Sequence, residues 1–472
     1  MKKFFSFFIV LFAIFGFTGF VNPSFAMTCP EEGVCSDPDY KMVVGTNCPL
    51  THEEVSRATR CDPTKGTCSG FTCIVGAPGT PPEPTALLCK LADGFRIQLT
   101  DMPAGSTFSF RMTASGDFTV DWGDGQPPQV INKTDTDDEV FTSGTYTTAG
   151  NRVVTIRGLA TGYHTVTVSP ISFGTSWPFF NPNPHAYRIT NISGDLGQIF
   201  PILHAGLDGT PRFANTFRDL TGLTSIPENL FAGINGPPAS AMFIGTFANT
   251  NITSIPENLF ASISGSPAAS IFAGTFQNTN ITSIPENLFA SISGPPANSM
   301  FHGTFENTNI TSIPENLFAS ISGPPADWMF TSTFQNTPIT SIPENLFASI
   351  SGPPAAGMFL WTFRDSNITS IPANLFANIN GPPAVRMFEY TFGNTNITSI
   401  PDNLFAGISG PPESGMFRGT FYNATSLTGP SARINGQFLY EIWPTATTPH
   451  VERMYRNAIG LSDWGSIPLA WR

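Results

Sequence analysis

Side chains suited to binding another molecule recur at variable positions of a repeated sequence in the C-terminal half of the chain. They are aromatic rings, arginines and carboxylates, and tryptophan, tyrosine and arginine are the residue types most enriched where proteins hold their partners. Within each copy their spacing of about four residues would gather them on the outer face of a helix. We therefore predict a face that binds a protein or a glycan, made of Asp327, Trp328, Trp361, Arg364, Arg386, Glu389, Tyr390 and Arg418.

The same search finds no pattern that predicts catalysis. The six histidines are scattered without a metal-ligand spacing, and the sequence has no nucleophile elbow, phosphate-binding loop or metalloprotease helix. The carboxylates repeat at equivalent positions instead of converging as an acid–base pair would. We expect a protein that is not an enzyme, has no cofactor and holds no metal.

The charge of the chain limits the class of partner. The formal net charge is −12, and the last lysine is Lys133. Nucleic acids and anionic membranes are bound by basic surfaces, so we expect neither as a partner.

The N-terminus has the pattern of an export signal. Lys2 and Lys3 precede an apolar run from Phe4 to Phe20, and small residues flank Phe25 at Ser24 and Ala26. This pattern predicts a signal peptide at residues 1–26 and a secreted or cell-surface protein. No later apolar run is long enough to cross a bilayer, so we expect no membrane insertion of the mature chain.

All seven cysteines lie between residues 29 and 89. Their spacings fit no zinc signature, and an exported chain permits disulfides, so disulfides are the favoured interpretation over a metal. Their pairing is not fixed by the sequence, and the odd number leaves one cysteine over. The candidates are Cys29, Cys35, Cys48, Cys61, Cys68, Cys73 and Cys89.

Two modules precede the repeats. Residues 27–90 are predicted to form a Cys-rich module that ends in a Pro-rich linker. Residues 91–185 contain alternating apolar and polar runs bounded by turn residues, which predict a small all-β sandwich. The turn Asp121-Trp122-Gly123-Asp124-Gly125 and the later strand after Gly150 resemble a PKD-like domain, a class of extracellular spacer.

The tripeptide Ser-Ile-Pro recurs at a constant interval along the second half of the chain, beginning at Ser225, Ser254, Ser283, Ser312, Ser341, Ser370 and Ser399. A fixed period of this length predicts stacked units. In the copy from Ile339 to Asn367, the β-branched run 339–342 predicts a strand. Pro343 and Pro354 each begin a short apolar pattern that predicts a helix, and Gly352 would end the first one.

The pattern Phe-x-Asn-Thr-x-Ile-Thr-Ser-Ile-Pro-x-x-Leu-Phe resembles leucine-rich repeats, and more closely those of the BspA-like bacterial surface proteins. The resemblance implies an α/β solenoid over residues 186–472, with 29-residue units of a short strand plus two short helices and a cap at each end. It also implies a role in adhesion or host contact.

Three alternatives accompany this interpretation. The variable side chains could reflect drift on a tolerant surface. A regular column of threonines from Thr224 to Thr398 could instead meet a repetitive ligand, although strand chemistry explains it as well. The whole protein could also be a structural surface coat or spacer without a specific ligand.

Overall fold

A computed structural model of the chain divides into two compact units, Met1–Asp93 and Gly94–Arg472. It describes residues 94–164, 168–174, 183–203, 209–446 and 449–472 in full, and the backbone alone of 40–43, 52–58 and 86–91. The predicted signal peptide and the side chains of all seven cysteines lie outside the described residues. In the first unit, β1 (Tyr40–Val43) and β2 (His52–Ala58) both pair antiparallel with β3 (Ala86–Leu91), which is the central strand.

The second unit begins with two antiparallel sheets. Their strands are β4 (Phe95–Met102), β5 (Ser109–Met112), β6 (Ser115–Asp121), β7 (Gln129–Lys133), β8 (Glu139–Thr142), β9 (Gly150–Gly162), β10 (Ile171–Ser172) and β11 (Ile189–Ser193). The larger sheet has the order β11-β4-β9-β6-β7 and the smaller the order β10-β5-β8.

An aromatic cluster fills the space between these sheets. The ring of Phe110 on β5 lies 5.4 Å from that of Trp122 and 5.9 Å from that of Phe173. The buried hydroxyl of Tyr146 donates a hydrogen bond of 2.9 Å to the Trp122 carbonyl oxygen. Asp121 and Asp124 accept hydrogen bonds from backbone N–H groups two residues further on, which is turn chemistry.

The repeated units are built from turns. In the segment 357–365, the N–H groups of residues 360, 362 and 364 bond the carbonyl three residues earlier. The N–H groups of residues 357, 359, 361, 363 and 365 instead bond carbonyls of the next unit, those of residues 385, 387, 389, 391 and 393 respectively. Every second peptide therefore closes a turn inside its own unit, and the peptides between them join neighbouring units. We call this segment and its equivalents the turn ribbon.

The predicted helix-bearing α/β solenoid is wrong. Residues 343–363 contain neither of the two predicted helices, and residues 339–342 form no strand. An α-helix needs each N–H to bond the carbonyl four residues earlier. In the first predicted helix the N–H groups of residues 346, 348 and 350 bond the carbonyl three residues earlier, and in the second alternate N–H groups leave the unit. A left-handed residue at every fourth position of the ribbon, as at Gly357, Trp361 and Asp365, also interrupts any helix. Among the described residues, the α-helices are α1 (Leu196–Ile199) and α2 (Leu439–Ile442).

Phenylalanine rings form the core of the repeat stack. The fully buried ring of Phe301 lies 4.6 Å from Phe318, 4.9 Å from Phe289, 5.8 Å from Phe330 and 5.9 Å from Phe272. Buried threonines at the centre of the ribbon tie the units together as well. Thr333, for example, donates its hydroxyl to the carbonyl oxygen of Phe301 in the preceding unit at 2.9 Å.

A column of asparagines runs along one edge of the ribbon. Each side-chain amide donates to the side-chain oxygen of the preceding unit, with 2.7 Å from Asn278 to Asn249, from Asn307 to Asn278 and from Asn336 to Asn307. Asp219 accepts the bond from Asn249 and so ends this ladder. The asparagines of this column therefore bond one another along the stack.

Both ends of the stack are covered. At the start, the Phe173 ring stacks on that of Phe217 at 5.8 Å, and the Phe173 N–H bonds the Thr216 carbonyl. At the end, the Tyr455 ring stacks on that of Phe421 at 5.8 Å, and buried Trp471 accepts a backbone bond from Tyr455. A hairpin of β12 (Arg433–Ile434) and β13 (Gln437–Phe438) precedes α2.

Candidate functional site

The left-handed positions of the turn ribbon form three columns with one member per unit, and their φ angles lie between +51° and +69°. The third is the asparagine column described above. The first left-handed column is Ala241, Ser270, Ser299, Trp328, Gly357, Arg386 and Gly415. The second is Gly245, Gly274, Gly303, Ser332, Trp361, Tyr390 and Gly419.

Four of the predicted site residues are bulky members of these two columns. Trp328 (φ +60°) and Arg386 (φ +56°) belong to the first, and Trp361 (φ +57°) and Tyr390 (φ +51°) to the second. The other members named above are glycine, alanine or serine, and the second column continues into the flanking segments with Asn215 (φ +56°) and Arg453 (φ +61°). A left-handed backbone costs a residue with a side chain about 1–2 kcal/mol relative to the right-handed region. These side chains therefore stand where the backbone alone favours glycine.

Glycines in the next unit make room for three of the four. A Cβ atom added to Gly357 would lie 2.1 Å from the Trp328 ring, and one added to Gly419 would lie 2.4 Å from the Tyr390 ring. A Cβ on Gly415 would approach the Arg386 Cγ to 3.0 Å. The large side chains thus lean toward the C-terminal neighbour. Both tryptophans and Tyr390 are half-buried, whereas Arg386 is exposed.

Arg364 joins two of these rings. Its guanidinium carbon lies 5.5 Å from the centre of the Trp361 ring and 5.3 Å from that of Tyr390, within the range of cation–π attraction. Asp365 holds it from the other side, with 3.2 Å between Arg364 Nε and Asp365 Oδ2. The row continues to Tyr422, whose ring meets that of Tyr390 edge-on at 5.5 Å.

A column of alternating charge runs beside the rings. Glu389 Oε2 lies 3.5 Å from Arg386 Nε, and Glu389 Oε1 lies 3.6 Å from Arg418 Nη1. Arg418 also approaches Glu452 at 3.5 Å, and Glu452 approaches Arg453 at 3.1 Å. Burial raises the pKa of Glu389, which is only 6% exposed, although the two arginines beside it act in the opposite direction.

The remaining predicted residue is exposed at the start of the face. Asp327 precedes Trp328, and its Oδ1 accepts a 2.9 Å hydrogen bond from the backbone N–H of Ala356 in the next unit. The structure therefore brings Trp361, Arg364 and Tyr390 into one cluster, and Arg386, Glu389 and Arg418 into another beside it. Asp327 and Trp328 lie one unit earlier. We call this whole surface the aromatic–arginine face.

Several buried polar atoms of this face have no hydrogen-bond partner among the described residues. They include Trp361 Nε1 and Gln335 Oε1. Arg364 Nε, Glu389 Oε2 and Arg418 Nε also make no hydrogen bond, although each has an oppositely charged atom within ion-pair distance. Such atoms normally find partners, so the face has unused hydrogen-bonding capacity.

Sequence reasoning missed Gln335, Glu452 and Arg453 as members of the face. Gln335 stands one residue before Asn336, as Arg364 stands before Asp365, so a comparison of equivalent repeat positions contained the signal for it. Glu452 and Arg453 follow an interval longer than the repeat period, which conceals their alignment with the repeats. Only their contacts with Arg418 and with each other reveal their place.

The threonine column is not part of the aromatic–arginine face. Its members, such as Thr340 and Thr369, are exposed, and the Thr369 N–H bonds the Thr340 carbonyl at 3.2 Å. No group of three or more histidine, cysteine, aspartate or glutamate side chains that could hold a metal occurs in the described part of the chain. Within that part there is also no helix long and apolar enough to span a membrane.

Comparison with known proteins gives no relative: no family profile, no curated protein and no solved structure matches this chain.

Proposed function

We propose that this is an exported protein of the cell surface or the extracellular space, which binds a protein or a glycan through the aromatic–arginine face. The observation that carries this proposal is the placement of Trp328, Trp361, Arg386 and Tyr390 at left-handed positions. Backbone strain of this kind is concentrated at functional sites in proteins, because elsewhere it is removed by substitution. The equivalent positions of the other repeats hold glycine, alanine or serine, and only the segments that flank the repeats place Asn215 and Arg453 there.

The composition of the face supports the same function. Tryptophan, tyrosine and arginine dominate the binding energy of protein interfaces, since each offers a large area together with a polar group. Here Trp361, Arg364, Tyr390 and Tyr422 contact one another across successive units and are only half-buried.

The test uses the exported chain, residues 27–472, on a panel of immobilised extracellular-matrix proteins and glycans. The variant carries Trp328→Ser, Trp361→Ser, Arg386→Ser and Tyr390→Ser. Serine already occupies both columns at Ser270, Ser299 and Ser332, so the variant is expected to fold. The control carries Glu286→Ser, Glu315→Ser and Glu344→Ser, three exposed residues outside the face.

We expect the parent and the control to bind a panel member and the four-serine variant to lose at least tenfold in affinity, which corresponds to about 1.4 kcal/mol. Circular dichroism checks that all three proteins are folded. Equal binding by the parent and the folded four-serine variant would contradict the proposed site. Absence of binding by all three would favour the structural coat.

A further inference from the structure

The unused hydrogen-bonding atoms of the aromatic–arginine face are of both kinds. Trp361 Nε1, Arg364 Nε and Arg418 Nε are donors, whereas Gln335 Oε1 and Glu389 Oε2 are acceptors. Leaving a buried polar atom unpaired costs about 1–3 kcal/mol, so a ligand that pairs these atoms gains that energy. A carboxylate only accepts and an ammonium only donates, but a hydroxyl does both. The mixture therefore favours a ligand rich in hydroxyl groups.

The charges of the face are already balanced within the protein. Arg364 pairs with Asp365, and Glu389 and Glu452 alternate with Arg386, Arg418 and Arg453 at 3.1–3.6 Å. A charged ligand would have to compete with these ion pairs. An uncharged ligand brings no competing charge, and its hydroxyls can hydrogen-bond both to Trp361 Nε1 and Gln335 Oε1 and to ion-paired atoms, such as Glu389 Oε2, that make no hydrogen bond.

The rings provide flat apolar contacts beside these polar atoms. Trp361, Tyr390 and Tyr422 follow one another in successive units and are half-buried, with 5.5 Å between the centres of the two tyrosine rings. A pyranose ring has C–H groups on its faces and hydroxyls around its rim. It can thus lie on an aromatic ring while its hydroxyls reach the neighbouring side chains.

The backbone of the face is closed to peptide strands. From residue 359 to residue 365 of the turn ribbon, the backbone N–H groups alternately bond the next unit and close a turn. Each of them therefore already has a partner. Addition of a peptide strand requires a free edge of N–H and C=O groups. A ligand must therefore bind through side chains alone, which suits a saccharide better than an extended peptide.

We propose that the aromatic–arginine face binds a neutral oligosaccharide, with sugar rings on Trp361 and Tyr390 and hydroxyls paired to Trp361 Nε1, Gln335 Oε1 and Glu389 Oε2. This inference rests on the proposed function of the face.

Isothermal titration of residues 27–472 with neutral gluco-, manno- and chito-oligosaccharides tests the proposal, with oligogalacturonate and sialyllactose as acidic comparisons. We expect saturable binding of a neutral sugar. Trp361→Phe, which keeps an aromatic ring but removes the Nε1–H donor, should weaken it about tenfold, the equivalent of one hydrogen bond of about 1.4 kcal/mol. Glu389→Gln, which replaces one acceptor atom by a donor, should also weaken it. Gln277→Ala, at the repeat position of Gln335 but two units earlier, should not.

Two results would overturn the saccharide assignment while leaving the binding face in place. One is loss of a panel protein's binding in the four-serine variant together with no binding of any neutral sugar. The other is binding of acidic sugars alone, abolished by added salt. Neutral sugar binding that is unchanged in Trp361→Phe and in the four-serine variant would instead remove the site from this face.

Discussion

At the scale of single residues, glycine has two separate roles in the ribbon. It accepts the left-handed backbone at no steric cost, and its missing Cβ leaves room for a ring from the preceding unit. Gly274 has the first role alone, since a Cβ there would lie no closer than 3.6 Å to its nearest neighbour. Gly419 has both, because Tyr390 lies on it. The two glycines therefore separate backbone strain from ring placement.

We expect Gly419→Ala and Gly274→Ala to introduce the same backbone strain but to differ in their effect on ligand affinity. Each substitution puts alanine at a φ near +60° and should lower stability by about 1 kcal/mol, seen in the thermal midpoint. Only Gly419→Ala should push the Tyr390 ring away, so only this variant should lose affinity for the panel ligand, by tenfold or more. An equal loss of affinity in Gly274→Ala would show that the position of the Tyr390 ring does not determine binding.

At the scale of elements, the turn ribbon is a hydrogen-bonded layer that lies between the stacked phenylalanine rings and the surface side chains. Its central threonines, such as Thr304 and Thr333, are completely buried, and their hydroxyls bond carbonyls of the preceding unit at 2.9 Å. These bonds run in the same direction as the asparagine ladder. Each unit is thus fixed to its neighbour by side chains as well as by its backbone.

Thr333→Val should reveal the contribution of one such hydroxyl. Valine has nearly the same shape, so the main change is the lost bond to the Phe301 carbonyl, which keeps its bond from the Thr304 N–H. We expect a loss of about 1 kcal/mol in the free energy of unfolding, measured by urea denaturation. Thr340→Val, at an exposed threonine, is the matched control and should change it little. Equal effects of the two changes would mean that this bond adds nothing to stability.

At the scale of the molecule, the repeated units contact mainly their neighbours, so stability should be close to a sum of unit and interface contributions. The ends are special, because the sheets around Phe173 and the aromatic residues Tyr455 and Trp471 cover exposed faces of the stack. Interior units lack such specialised contacts. Deletion of one interior unit should therefore be tolerated if it preserves the register of the repeats.

Deletion of residues 267–295 joins Ser266 to Pro296 and removes one unit outside the aromatic–arginine face. We expect a folded protein with a lower thermal midpoint and unchanged ligand affinity. Deletion of residues 354–382 also removes one unit and joins Pro353 to Pro383, but it takes Trp361 and Arg364 with it. That protein should fold similarly and lose binding. Loss of binding in both deletions would indicate that the ligand spans more of the stack than the face.

The period of the repeat, the columns of buried Phe, Met and Ile, and the residue types of the candidate face can all be predicted without the structure. These follow from the covalent order, because any stacking in register repeats each position along the stack. The aromatic residues at 328, 361 and 390 could be singled out for the same reason, since they depart from the other copies.

Only the tertiary structure decided between helices and turns. Met358, Phe359, Thr362 and Phe363 recur every four residues, which is close to the 3.6-residue turn of a helix but equal to the repeat of the ribbon. The choice depends on whether alternate N–H groups bond inside the unit or across to the next one, and a single unit contains no information on that. The contacts that unite Arg364 with Trp361 and Tyr390 likewise exist only after the units have stacked, as do those of Trp328 with Gly357 and of Tyr390 with Gly419.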